Sequence, residues 1–166
     1  MTIRKAEGRD IPAMREIYNY EVLNGTATFD TVVKDMADRR AWFEAHGDGY
    51  PLLVAEEDGV LAGYASLSPY GVRPGYRPCV ELSVYIHRDY RRRGYAEALM
   101  KELLALAKAD ERVRLVVSVI TGGNAASVRL HERLGFVPAG ILHQAGYKLG
   151  KRLDVYLYEY PVGPHA

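Results

Sequence analysis

The chain has 166 residues, 48% apolar and 26% charged, which suits a globular domain with a proper core and excludes a disordered or fibrous chain. A net charge of +1 excludes an extended basic face for nucleic acid or an anionic membrane, and no apolar run approaches the roughly 20 residues of a membrane span. The lone cysteine, Cys79, excludes an intrachain disulfide framework, and the N-terminus has no signal-peptide pattern, so a cytoplasmic setting is expected.

Thr2 to Ala6 reads as a first strand. Asp10 stands as an N-cap before Pro12, and Ile11, Met14, Ile17 and Tyr18 mark one face of a first helix that ends at Asn24-Gly25. A polar loop around Phe29 leads to a second helix over Val33 to Glu44, closed by His46-Gly47. Asp58-Gly59, between Leu52–Glu57 and Val60–Leu67, is a strong hairpin signal. A loop rich in Pro, Gly and Tyr, Pro69 to Pro78, precedes a central strand from Cys79 to His87.

Gly94 to Lys108 is a third helix with Ala96, Leu99, Met100, Leu103 and Ala107 as its buried stripe. Val113 to Ile120 is an apolar, β-branched strand, broken by Gly122-Gly123. Asn124 to Leu134 is a fourth helix ended by Gly135, and Phe136–Ala145 and Asp154–Tyr160 are two last strands. Helices lie between strands throughout, with no linker or repeat, so one mixed α/β domain over residues 1–166 is expected.

Arg91-Arg92-Arg93-Gly94-Tyr95-Ala96 carries the most chemistry. A strand that turns into a helix through basic residues and a glycine is built to hold an anion. The first helical N–H groups have no partner inside the helix, the dipole favours negative charge there, and guanidinium groups add charge-assisted bonds to phosphate. A Walker A loop and a dinucleotide glycine fingerprint are both absent, so neither explains this cradle.

Alternation along the central strand puts Cys79, Glu81, Ser83 and Tyr85 on one face and Val80, Leu82, Val84 and Ile86 on the other. The second set is core. The first brings a carboxylate beside the cradle, where Glu81 is either a proton acceptor or a structural residue on a partly exposed face. Cys79 reads as a small buried hydrophobe rather than a nucleophile. Asn124, Ser127 and His131 share a face of the fourth helix, either as cap, first-turn residue and core histidine or as part of a site. The histidines His46, His87, His131, His143 and His165 show no zinc spacing, so no metal is expected.

Together these residues resemble the GCN5-related N-acetyltransferase (GNAT) superfamily. Arg91-x-x-Gly94-x-Ala96 matches its coenzyme A loop. Asn124, Ser127, Leu130, His131, Gly135 and Phe136 match its later helix. The likeness narrows to the phosphinothricin and methionine sulfoximine acetyltransferase (L-amino acid N-acyltransferase) branch. It is carried by Ile17-Tyr18-Asn19, Ala27-Thr28-Phe29-Asp30, Arg40-Ala41-Trp42-Phe43, Tyr70-x-x-Arg73-x-x-Tyr76 and Val80-Glu81-x-Ser83-Val84-Tyr85-Ile86. Tyr70, Cys79, Arg92 and Ala96 depart from the branch's usual residues; the first two bear on substrate identity, the last two leave coenzyme A binding intact.

The resemblance implies a single GNAT-like domain with a mixed, mostly antiparallel sheet, and acetyl transfer from acetyl-CoA to a primary amine. In that reading the backbone of Val84, Tyr85 and Ile86 pairs with the pantetheine arm, and Arg91, Arg92, Arg93, Gly94, Tyr95, Ala96 and Glu97 wrap the pyrophosphate through N–H groups. One arginine reaches the 3′-phosphate; Asn124, Ser127 and His131 contact the cofactor. Glu81 is the base and His131 a candidate acid for the leaving thiolate. Phe29, Tyr70, Arg73, Tyr76, Glu81 and Ser83 are the expected substrate contacts, Arg73 meeting a carboxylate or phosphinate. A homodimer is expected, with the tyrosines Tyr156, Tyr158 and Tyr160 of the last strand either at the contact or in the core. Other readings are a relative acting on an aminoglycoside, polyamine or protein N-terminus, a non-catalytic acyl-CoA sensor, and a domain that binds phosphate incidentally.

Overall fold

In the computed structural model, which describes residues 1–47 and 49–163, seven strands form one sheet. His165, counted above, lies outside the described residues. The elements in chain order are β1 (Thr2–Lys5), α1 (Ile11–Asn24), α2 (Met36–Glu44), β2 (Leu52–Glu57), β3 (Val60–Pro69) and β4 (Cys79–Ile86). There follow α3 (Tyr95–Ala109), β5 (Leu115–Thr121), α4 (Ala125–Arg133), β6 (Val137–Lys148) and β7 (Lys151–Pro161). The spatial order is β1-β2-β3-β4-β5-β7-β6, antiparallel at every pairing except β4 with β5. The expected mixed, mostly antiparallel sheet flanked by helices is what the chain forms.

Local chemistry sets the element ends. Asp58 and Gly59 both take positive φ (52° and 78°), as a tight hairpin with the twist of its strands requires. Asp35 caps α2 by accepting the Asp38 N–H at 2.8 Å, so the helix begins at Met36 and leaves Val33 in the loop. Asp10 stands at the N-cap of α1 as expected, but its side chain makes no capping bond. Its carboxylate takes both terminal nitrogens of Arg4 (2.8 and 2.9 Å) and the Glu7 N–H (2.8 Å), a stronger use of a buried charge than one helical amide.

The last hairpin is longer than expected on both arms, turning at Leu149-Gly150 with positive φ (51° and 74°). The register shifts between Leu142 and Gly146, where Gln144 has a φ of 53° and donates its N–H to Asp154 at 2.8 Å. That bulge breaks the alternation by which a strand is read from sequence.

Two cores cover the two sheet faces. Leu99, Met100, Leu103 and Ala107 of α3 are buried against Val80, Leu82, Val116 and Ile120. Ile11, Met14 and Ile17 of α1 are buried with Leu52, Val54 and Tyr64, and Trp42 and Phe43 of α2 pack alongside. Tyr158 is buried in the first core, with the half-buried Tyr156 and Tyr160 packed against it.

Candidate active site

The site begins where the sheet comes apart. β4 and β5 pair only at Cys79–Leu115, Val80–Val116 and Glu81–Val117. Beyond Glu81 the strands diverge, and the β5 side of Val84 to Ile86 becomes the wall of a groove of about 480 Å³. Ser118 of β5 reaches back across the gap toward the Leu82 carbonyl at 3.5 Å. A strand edge stripped of its neighbour presents backbone donors and acceptors to any extended ligand that lies beside it.

The cradle closes one end of the groove. Gly94 precedes α3 with φ +85°, and a Cβ built there meets no protein atom within 4 Å: the residue faces open groove. The first intrahelical bond runs from Ala98 N to Gly94 O at 3.1 Å, so the N–H groups of Tyr95, Ala96 and Glu97 precede it. Ala96, expected in the buried stripe, lines the groove instead. This is an N-terminus open to the approach of a diphosphate, so the residues present fit a coenzyme A cofactor.

The side chains of the cradle divide the work. Arg91 forms an ion pair with the buried Glu21 of α1 and donates from Nε to the Ile86 carbonyl at 3.3 Å, so it braces the loop. Arg93 pairs with Glu57 and stacks on Tyr90 and Tyr95, 5.2 and 5.6 Å from the ring centres. Tyr95 is buried, and Glu97 pairs with Lys101 (2.8 Å) and Arg133 (2.7 Å), so these two offer backbone rather than side chain. Arg92, in a left-handed conformation (φ 62°) and exposed, lines the groove and is the one arginine of the three with no carboxylate partner among the described residues.

On the opposite wall Asn124 caps α4, its Oδ1 accepting the Ser127 N–H at 3.2 Å, which leaves Nδ2 without a hydrogen-bond partner among the described residues. His131 is buried at 3% exposure beside a small cavity of about 60 Å³ shared with Ser83, Val84 and Ser118. Its Nδ1 lies 2.8 Å from the Ser127 carbonyl, an atom that only accepts, so Nδ1 carries the proton. Burial holds the imidazole below its ordinary pKa, and the buried Nε2 has no partner among the described residues. Neutral, with a lone pair at Nε2, His131 is arranged as an acceptor; it lacks the proton that the expected acid would donate.

The Glu81 face looks the other way, under α1 and α2. Tyr85 stacks with Tyr64 at 5.5 Å and meets Tyr18 edge-on at 5.2 Å, so it offers only its backbone to the groove. Burial raises the Glu81 pKa above the usual carboxylate range, the environment of a general base. Burial, with the charges of Glu81 and Glu159, also raises the Cys79 thiol, which disfavours a thiolate nucleophile. Ser83 lies half-buried between Glu81 and Tyr85 on this face.

The loop from Tyr70 starts and ends at this end of the β3–β4 hairpin, with the Tyr70 N–H on the Cys79 carbonyl at 3.4 Å. Tyr70 and Tyr76 form an edge-to-face pair at 5.3 Å, and Arg73 is exposed at the start of a short helical turn, Pro74–Tyr76. Phe29 belongs to a second support: its ring rests on Gly146 of β6, where an added Cβ would come within 2.3 Å of it. The segment around Phe29 is tied down by the Thr121 hydroxyl, which donates to the Thr26 carbonyl. The buried Lys148 ammonium donates to the carbonyls of Glu21 (2.9 Å) and Thr28 (2.8 Å).

Sequence reasoning missed Glu21, Tyr90 and Arg133, which line the groove, and Arg39, Trp42 and His46, which stand over the Glu81 face. Glu21 had a signal: it falls four residues after Ile17, a carboxylate on an apolar helical stripe. The i, i+3, i+7 spacing of Arg39, Trp42 and His46 was a second one.

Residues 14–136 match the Acetyltransferase (GNAT) family. The L-methionine sulfoximine/L-methionine sulfone acetyltransferase of Salmonella typhimurium is 39% identical over 100% of this chain and 97% of its own length. The phosphinothricin N-acetyltransferase of Alcaligenes faecalis is 39% identical over 97% of this chain and 82% of its own. An acetyltransferase of Salmonella typhimurium, solved with its cofactor acetyl-CoA, superposes with a TM-score of 0.94 at 39% identity, covering 100% of this chain and 96% of that one. With the parted β4–β5 pair, the open helical cradle and these likenesses in hand, the chain belongs to the GNAT acetyltransferase family.

Proposed function

We propose that this acetyl-CoA-dependent N-acetyltransferase acts on the primary amine of a small carboxylate-bearing substrate, an L-amino acid or an analogue such as methionine sulfone, methionine sulfoximine or phosphinothricin. The observation that carries the reading is Glu81, a carboxylate with a pKa raised by burial, on the last paired residue of β4 before the groove opens. Acetyl-CoA supplies an acyl group activated as a thioester. Val84 to Ile86 offer it a strand edge, the N–H groups of Tyr95 to Glu97 and the Arg92 side chain meet its phosphates, and Asn124 turns Nδ2 toward its pantetheine arm.

An ammonium cannot attack until it loses a proton. Glu81 takes that proton, directly or through a water, once both substrates are bound, and transfer is direct within the ternary complex: the C–N bond forms, the C–S bond breaks, and the departing thiolate takes up the proton that the acylated nitrogen sheds. A backbone N–H near Val84 faces the charge that develops on the thioester oxygen. Ser83 stands beside Glu81 to contact the amine. Arg73 meets the substrate carboxylate as a bidentate fork, with Tyr70, Tyr76 and Phe29 lining the side-chain space. The 70–78 loop carries Arg73 and Arg77 and no carboxylate, which disfavours polycationic amines.

The whole chain serves as one domain, in the cytoplasm; no helix among the described residues is long and apolar enough to cross a membrane. A homodimer forms through the edge strand β6, which exposes Val137, Ile141 and Leu142, each about half exposed.

The test is a free-thiol assay with acetyl-CoA across L-methionine sulfone, L-methionine sulfoximine, L-phosphinothricin, common L-amino acids, a polyamine and an aminoglycoside. Thiol release with the sulfone, sulfoximine or phosphinothricin is expected. Release confined to the polyamine or aminoglycoside would discard the carboxylate reading and keep the cradle.

A further inference from the structure

His46 follows the last turn of α2, and its ring is held at both ends. Nδ1 lies 2.7 Å from the Trp42 carbonyl, and Nε2 lies 3.1 Å from the Ser68 hydroxyl of β3. A carbonyl only accepts, so Nδ1 carries the ring proton. Burial lowers the His46 pKa and keeps the ring neutral, so Nε2 offers a lone pair. The Ser68 hydroxyl must then donate to His46. A serine has a single hydroxyl proton, and with that proton engaged its oxygen can only accept.

Ser68 is the direct cross-strand partner of Glu81. Opposite residues of an antiparallel pair project to one face with Cβ atoms about 4.5–5.5 Å apart. An oriented neutral acceptor therefore stands beside a carboxylate, at the root of the 70–78 loop. Two neighbouring acceptors, one charged, suit a cation with several N–H bonds diverging from one atom. A primary ammonium is such a cation; a guanidinium spreads its donors over a wider plane.

We infer that the Ser68 oxygen, with its proton held by His46 Nε2, receives an N–H of the substrate ammonium beside Glu81, so that Ser68 is an amine-binding residue and His46 a positioning residue acting through it. The inference rests on the reading of Glu81 as the base. When one ammonium proton passes to the Glu81 carboxylate, the neutral amine keeps two N–H bonds. Ser68 holds one of them, which fixes where the nitrogen lone pair points. The protonated Glu81 keeps its second oxygen as an acceptor; a primary amine gives one N–H to Ser68 and the other to that oxygen, whereas a secondary amine, with its one N–H on Ser68, sets a carbon there instead. The pair is thus a selector for primary amines.

The experiment uses steady-state kinetics of the full chain with acetyl-CoA and L-methionine sulfone, or the panel amine turned over fastest, beside its N-methyl derivative. Ser68→Ala should raise KM for the primary amine about ten-fold, the loss of one hydrogen bond to a charged group. KM for acetyl-CoA should hold, and the preference for the primary over the N-methyl amine should shrink. Ser68→Thr should restore both. His46→Phe should raise the amine KM in the presence of Ser68 and add nothing to Ser68→Ala.

An unchanged amine KM in Ser68→Ala, or a His46→Phe effect of equal size in both backgrounds, overturns the inference. Glu81→Gln, run in parallel, separates the two layers. If it turns over like the wild type, the base reading falls and this one with it. If it is inactive while Ser68→Ala is silent, only the Ser68–His46 inference falls. No turnover of any panel amine overturns both.

Discussion

At the scale of single residues, the site assigns different consequences to neighbours of the same type. Arg92 faces the groove while Arg93 is paired with Glu57. Arg92→Ala should weaken acetyl-CoA binding about ten-fold by titration calorimetry with little change in melting temperature. Arg93→Ala should leave that affinity within about two-fold and lower the melting temperature slightly, because an exposed pair contributes little. Glu81 makes a prediction in pH. Its carboxylate must be ionised to accept a proton and its pKa is raised, so kcat/KM should fall as pH drops through a point above the usual carboxylate range. Glu81→Gln should cut turnover by about 100-fold or more and remove that acidic limb from the residual activity, with acetyl-CoA binding retained. Turnover near the wild-type level would assign the proton elsewhere.

Glu81 and the glycine of the cradle were legible in the sequence because strand alternation and helix-start chemistry are local rules. The fates of Arg91, Tyr95 and Glu97 were not. Each depends on a partner distant in sequence, such as Glu21 for Arg91. His131 was legible on the α4 face that lines the small cavity, but the carbonyl that fixes its proton became visible only in three dimensions.

At the scale of elements, the segment between α1 and α2 depends on one side chain from the far end of the chain. Lys148 of β6 is 4% exposed, and its ammonium bridges the carbonyls of Glu21 and Thr28. Lys148→Met keeps the length and removes both donors, leaving two carbonyls to find water. A loss of about 2–3 kcal/mol is expected, seen as a melting temperature lower by about 5–10 °C. Tryptic cleavage at Lys34 should accelerate as that segment loosens. A variant as stable and as protease-resistant as the wild type would show that the bridge contributes nothing. No sequence pattern announced this lysine: it lies past a bulge, on a strand whose expected end was Ala145 and whose real end is Lys148. The hairpin of β2 and β3 was readable to within two residues, since Asp58-Gly59 defines its own turn.

At the scale of the whole molecule, two neutral histidines, His131 buried and His46 half-buried, tie stability to pH. Burial lowers the pKa of both His46 and His131 from the ordinary 6.5. The unfolded chain therefore binds more protons than the folded one between the lowered values and 6.5, and stability rises with pH across that window. The contribution is whole above pH 6.5 and is lost as pH falls through the folded pKa values. The melting temperature should drop between pH 7.5 and 5.5, and replacing both histidines with neutral residues should flatten that slope. An equal drop in the replaced protein would place the titration in other groups.

The short β4–β5 pairing has a mechanical meaning as well. Three residue pairs join the sheet across that line, and Glu81 belongs to the last of them. The boundary between backbone paired on two sides and backbone paired on one falls between Glu81 and Leu82. Glu81, the proposed proton acceptor, is paired with a strand on both sides, while the stretch after it, Leu82 to Ile86, has a paired strand on one side only.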